Sequence, residues 1–159
     1  MPSLNVRRVV TGHDENGNAV IREDKEMETK VLGAEAEMVV AWTTAEFPSD
    51  NNDDFDGALR EVKRVSPGGS VLQFVTMHPH TASKHHRTLS LDYAIVLEGE
   101  LTLELDNGET TVVGAGDVVI QRGTIHTWRN DGDVPTKTAF VLLDAKPVQV
   151  GGKTLEPEN

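Results

Sequence analysis

The sequence contains no cysteine. Disulfides, thiolate nucleophiles, zinc-finger sites and iron–sulfur clusters are thereby excluded. Positive charge is scarce: 15 Lys and Arg stand against 26 Asp and Glu, for a net charge of −11. Such a chain repels phosphate backbones and anionic lipid, so neither nucleic acid nor a membrane surface is an expected partner. Long apolar runs are also missing. The longest, Met38–Trp42 and Ala139–Leu143, span 5 residues each, far below the roughly 18 that a membrane span needs. No apolar stretch follows the early pair Arg7-Arg8, so no secretory signal is expected and the reading is a cytoplasmic protein. No period of about 20 to 50 residues recurs, which argues against a repeat architecture.

Glycine and proline punctuate short apolar segments along the chain, the pattern of a single all-β domain over residues 1–159. Val6–Thr11 and Ala19–Ile21 flank Asn16-Gly17, a pair that supplies the positive φ values of a tight hairpin turn. Met38–Thr44 is a further apolar segment, so N-terminal strands are expected over residues 4–44. Phe47–Asp56 reads as an exposed loop, followed by a helical turn near Ala58 and a strand at Val62–Val65. Val71–Met77 and Tyr93–Leu97 are strands. Leu101, Leu103 and Leu105 alternate with Thr102 and Glu104, which is period-two burial of one face. Asp106-Asn107-Gly108 and Gly114-Ala115-Gly116-Asp117 turn the chain into Thr110–Val113 and Val118–Gln121. Lys137–Leu143 is the last strong strand. A barrel core over about residues 60–145 and a peripheral tail over 146–159 complete the expected organisation.

Six histidines are the notable feature of so acidic a chain. His78 and His80 flank Pro79, which cannot donate to a strand ladder, so both read as loop residues, as does His13 in its turn. His86, Thr88 and Asp92 share one strand parity and can face one side. His126 follows in Gly123-Thr124-Ile125-His126-Thr127-Trp128-Arg129-Asn130. Two hairpins would place His86, Asp92 and His126 around one point. Lys84 and Thr88 flank that point, with Lys84 able to meet an anionic group. Trp128, two residues after His126, can line the same pocket. Tyr93 has the opposite parity from Asp92 and points away.

These segments resemble the two motifs of the cupin superfamily. The first maps to His86-Arg87-Thr88, Asp92 and Gly99, and the second to Gly116, Gly123, His126 and Asn130. The resemblance implies a double-stranded β-helix, or jelly-roll, barrel that carries an N-terminal β-hairpin extension. Thr88 stands where the family has its second histidine, and Asp92 where it has glutamate. The second motif lacks its proline and is one residue shorter. The resemblance implies a divalent transition metal (Fe, Mn, Zn or Ni) held by His86, Asp92 and His126, a two-histidine, one-carboxylate count. It also implies a homodimer and a small-molecule substrate.

Because the ligand set is incomplete, acid–base groups are the expected machinery. His86 and His126 exchange protons with substrate, and Asp92 orients one imidazole and stabilises its charged form. The expected function is a lyase step, decarboxylation or dehydration, on a small organic acid or a polyketide- or aromatic-like metabolite. A metal-dependent dioxygenase or other oxidoreductase is the first alternative. A non-catalytic ligand-binding protein of the same fold is the second.

Overall fold

Alternation and turn chemistry produce antiparallel strands throughout a computed structural model that describes residues 5–158. Residue 4, the start of the N-terminal region expected to hold strands, and residue 159 of the tail lie outside the described residues. The first hairpin pairs β1 (Arg7–His13) with β2 (Ala19–Glu26). Its turn depends on Gly17 at φ +80°, a value that costs a side-chain-bearing residue energy. The Asp14 carboxylate accepts from the amides of Asn16 and Asn18, both at 2.9 Å, and closes the loop. His13 thus ends a strand and does not sit in the turn.

Two sheets enclose the core. The larger takes β3 (Lys30–Leu32), β4 (Ala36–Thr43), β5 (Ser70–Met77), β7 (Ser90–Glu98), β10 (Val118–Arg122) and β12 (Thr136–Asp144), in the order β10-β7-β12-β5-β4-β3. The smaller takes β6 (Thr81–Ala82), β8 (Glu100–Leu105), β9 (Thr110–Gly114) and β11 (His126–Asn130), in the order β6-β11-β8-β9. Ala94 and Val96 from the first sheet meet Leu101, Leu103, Val113 and Trp128 from the second in one apolar cluster. Two packed antiparallel sheets of this kind form a jelly-roll barrel. Full burial of one such side chain, Leu101 for example, stabilises the fold by about 2 kcal/mol.

β3 and β4 hydrogen-bond into the larger sheet, so its strands begin well before residue 60. The hairpin of β1 and β2 covers the outer side of this sheet, where Val6 and Val39 pack with Met27 and Phe74. Farther along, Tyr93, Ile95 and Leu97 of β7 and Val118 and Ile120 of β10 are exposed. The helical turn is a 3₁₀ turn at Gly57–Leu59. Val62–Val65 is not a strand. Two adjacent charged residues, Lys63 and Arg64, break the alternation there.

The tail forms a small hairpin, β13 (Gln149–Val150) with β14 (Lys153–Thr154), and returns to the barrel. Glu158 and Arg87 exchange two backbone hydrogen bonds, at 2.8 and 3.1 Å. Among the described residues, no helix is long and apolar enough to cross a membrane.

Candidate active site

β7 sets the wall of the site by its parity. Asp92, Ala94 and Val96 are buried, while Tyr93, Ile95 and Leu97 are exposed. Across the sheet, Asp92 stands opposite Gln121 of β10 and Leu142 of β12. Opposite this wall, His86 and His126 form an isolated antiparallel bridge, each amide donating to the other's carbonyl at 3.0 Å. Gly123, at φ +65°, turns the chain from β10 toward His126. The two imidazole rings lie 4.4 Å apart at 54°. Trp128 meets His126 edge-on at 6.0 Å and Phe140 at 5.9 Å.

His86, Thr88, Asp92, His126 and Trp128 all line one cavity of about 370 Å³, at the small end of the range for metabolite sites. Lys84 does not line it. Its side chain is exposed, because the chain from Ser83 to His85 is not a strand and strand parity does not apply. Lys84 contributes its backbone instead: His86 Nδ1 donates to the Lys84 carbonyl at 2.7 Å. His126 Nδ1 likewise donates to the Thr124 carbonyl at 2.9 Å. A carbonyl can only accept, so both neutral rings carry their proton on Nδ1 and keep Nε2 as the basic atom.

Burial sets the proton affinities. His126 is 3% exposed, and desolvation brings its pKa down to about 4 against the opposing pull of the Thr124 carbonyl. His86 is lowered in the same sense by burial, with the Lys84 carbonyl opposing and the charges of Arg64 and His85 adding to the shift. Asp92 is 7% exposed, and burial pushes its carboxyl up to about 6 although a Ser90 hydrogen bond pulls it down. At neutral pH the site therefore holds two neutral bases beside a carboxyl that gains its proton only slightly below neutrality.

Asp92 orients neither imidazole. Ser90 Oγ donates to its Oδ1 at 2.5 Å, and the Thr88 hydroxyl meets Ser90 Oγ at 2.7 Å. The backbone carbonyls of Lys84 and Thr124 do the orienting. Among the described residues, no group of three or more His, Asp or Glu side chains is placed to hold a metal ion. His86, Asp92 and His126 share a cavity but do not form the three-donor set of a resident metal. The two imidazoles and the carboxyl supply acid–base chemistry.

Three further histidines lie outside the cavity lining. His78 meets the Ala34 carbonyl, His80 the Asp133 carboxylate and His85 the Thr127 hydroxyl. Asn130 is structural. Its amide donates to the carbonyls of Met77 and Val134, at 3.1 and 2.8 Å, and fixes the following turn.

Several polar cavity residues lie outside the motif positions, among them Lys63, Arg64, Gln121 and Thr138. Gln121 and Thr138 were nonetheless visible as polar residues at inward positions of apolar strands. Lys63 and Arg64 had no such signal, since no periodicity governs their segment.

Comparison with known proteins places this arrangement. The cupin domain family matches residues 73–142. Phomopsin biosynthesis cluster protein C' of Diaporthe leptostromiformis is 38% identical over 157 residues, covering 93% of this chain and 83% of the relative. The chain belongs to the cupin family. The cupin-domain-containing oxidoreductase virC of Hypocrea virens is 36% identical over 94% of this cupin and 82% of its own length. The polyketide cyclase RemF from Streptomyces resistomycificus superposes with a TM-score of 0.55 at 19% identity, covering 84% of this chain and 79% of that one. At that identity the likeness is one of fold. The fungal relatives are thus named for biosynthetic clusters and for oxidoreductases.

Proposed function

We propose that this cupin is an enzyme of fungal secondary metabolism that performs a lyase step, dehydration or decarboxylation, on a small organic acid or a polyketide- or aromatic-like metabolite. The observation that carries this reading is the pair of Nδ1-anchored neutral imidazoles beside Asp92 in an apolar cavity. In dehydration, a histidine Nε2 takes the proton next to a substrate carbonyl. The electron pair of that C–H bond becomes the new double bond, and the C–O bond breaks. Asp92, in the fraction of molecules that carries its proton near neutrality, gives that proton to the departing hydroxyl, which leaves as water. The imidazolium then returns a proton to Asp92 through solvent. In decarboxylation the C–C bond breaks to release carbon dioxide, and Asp92 protonates the carbanion left behind.

The test is incubation with a panel of β-hydroxy and β-keto acids, read by mass spectrometry. Products that have lost water or carbon dioxide are expected, and His86→Ala or His126→Ala should slow their formation by about 100-fold or more. Unchanged turnover in both folded variants overturns the reading. A second reading, oxidoreductase, is supported by the names of four relatives. Oxidised products that form only after added iron would favour it. Retention of every compound unconverted would favour a ligand-binding protein.

A further inference from the structure

Two parts of the cavity wall take no part in the proton transfers. The first is the pair Lys63 and Arg64, exposed side chains in the irregular segment between Gly57–Leu59 and β5 that line the cavity at its solvent side. Neither takes part in an ion pair or hydrogen bond within the described residues. They are the two cationic side chains among the residues that line this cavity, in a chain of net charge −11. The acidic side chains that share the lining are Glu35 and Asp92. Glu35 is exposed to solvent, so it opposes the pair only in part. Apolar walls concentrate the field of the cations into the cavity.

The second part is Gln121, 4% exposed and directly across the ladder from Asp92. One end of its amide is tied to the Thr124 hydroxyl, and the other, Oε1, has no partner. Whichever way the amide is turned, one hydrogen-bonding atom is left over. A buried polar atom without a partner implies something else that satisfies it. The leftover atom has no surface open to solvent, so a ligand reaches it once the Gln121 side chain turns further into the cavity. A hydroxyl group both donates and accepts, so it matches either orientation.

We propose that the cavity selects a hydroxylated carboxylic acid: the carboxylate binds Lys63 and Arg64, an apolar ring packs against Met77, Leu101, Trp128 and Phe140, and a hydroxyl meets Gln121. The inference rests on reading this cavity as the substrate site, and holds whichever bond is then broken. It places the anion near His86 and the hydroxyl beside Asp92.

Calorimetric titration with 4-hydroxybenzoate, 4-hydroxybenzamide and benzoate tests it without turnover. The hydroxy acid should bind about tenfold more tightly than its amide at low salt, and that margin should shrink as salt is raised. In the Lys63→Gln/Arg64→Gln double variant the margin should vanish while amide binding stays unchanged. The advantage of 4-hydroxybenzoate over benzoate should disappear in Gln121→Leu. The wild-type comparison of the three compounds stands even where that variant fails to fold. Equal binding of acid and amide, a preference that survives the double variant, or no binding of the acid at millimolar concentration overturns the proposal. Failure of the proton-transfer reading would appear separately, as unimpaired turnover in the histidine variants with this binding pattern intact.

Discussion

Arg8 and Asp92 are each 7% exposed, yet their surroundings differ in kind. Arg8 is held by a bidentate contact to Asp56, at 2.6 and 2.7 Å, by Glu23 and by the Ala41 carbonyl at 3.1 Å. The Asp56 hydrogen bonds raise the Arg8 pKa, and Arg8 in turn lowers that of Asp56. Charge is locked in on both sides, and the cluster clamps the hairpin to the sheet. Asp92 has a single hydroxyl donor and no cation, so burial drives it toward its neutral form. A buried charge with its opposite is a fastener; one without becomes a titrating group in the range where proton transfer is useful.

The strongest way to break this contrast is to remove the fastener. Arg8→Met should cost about 3 to 5 kcal/mol, toward the lower figure because Asp56 and Glu23 retain some water. Chemical denaturation checks it, with a fall in midpoint at unchanged slope. A loss below 1 kcal/mol would mean that the cluster is no more than a surface ion pair.

The opposite sign is expected at Asp92. Its folded pKa, about 6, lies above the ordinary 3.8, so its contribution to stability is complete below the ordinary value and is lost as pH rises through 6. Asp92→Asn keeps the Ser90 hydrogen bond and stays neutral, and should therefore stabilise the protein by up to about 3 kcal/mol at pH 8. The gain should vanish near pH 4. His126 runs the other way. Its folded value, about 4, lies below 6.5, so its stabilisation is present above 6.5 and is lost as pH falls toward 4. The two trends offset each other in the wild type. Thermal melts across this window should therefore show steeper acid loss in Asp92→Asn and a shallower one in His126→Gln. Parallel profiles would mean that neither group titrates as its burial dictates.

The sequence revealed this contrast unevenly. Strand parity did not reach His86 and Thr88, which line the cavity from chain ahead of β7, His86 on the wall opposite Asp92. Within β7 it put Asp92 on the cavity face and Tyr93 on the other, because alternation is a local property of extended backbone. Turn residues such as Asn16-Gly17 marked the hairpins for the same reason. The barrel and its two hairpin-borne histidines followed from motif spacing. The orientation of those histidines did not, since the acceptors are the backbone carbonyls of Lys84 and Thr124, which carry no residue signature. Lys63 and Arg64 reach the cavity through an irregular segment whose path is set by distant contacts, among them Ser66 Oγ donating to the Thr44 carbonyl at 2.6 Å. The Arg8 cluster joins residues up to 48 positions apart, and no pattern in the chain announces it.

The smallest effect separates stability from binding within one strand. Thr136 and Thr138 of β12 are each 1% exposed, and the hydroxyl of each lacks a partner. Only Thr138 lines the cavity. Replacing either by valine keeps the shape and removes an unsatisfied polar atom, so each change should stabilise the fold by about 1 kcal/mol. The two variants should then diverge: Thr136→Val leaves the titration with 4-hydroxybenzoate unchanged, whereas Thr138→Val alters it. Equal stabilisation with equal binding would place the Thr138 hydroxyl in the frame of the barrel, like its neighbour two residues away. Divergence would mark it as a cavity group, kept polar at a cost in stability that the interior of a barrel strand otherwise has no reason to bear.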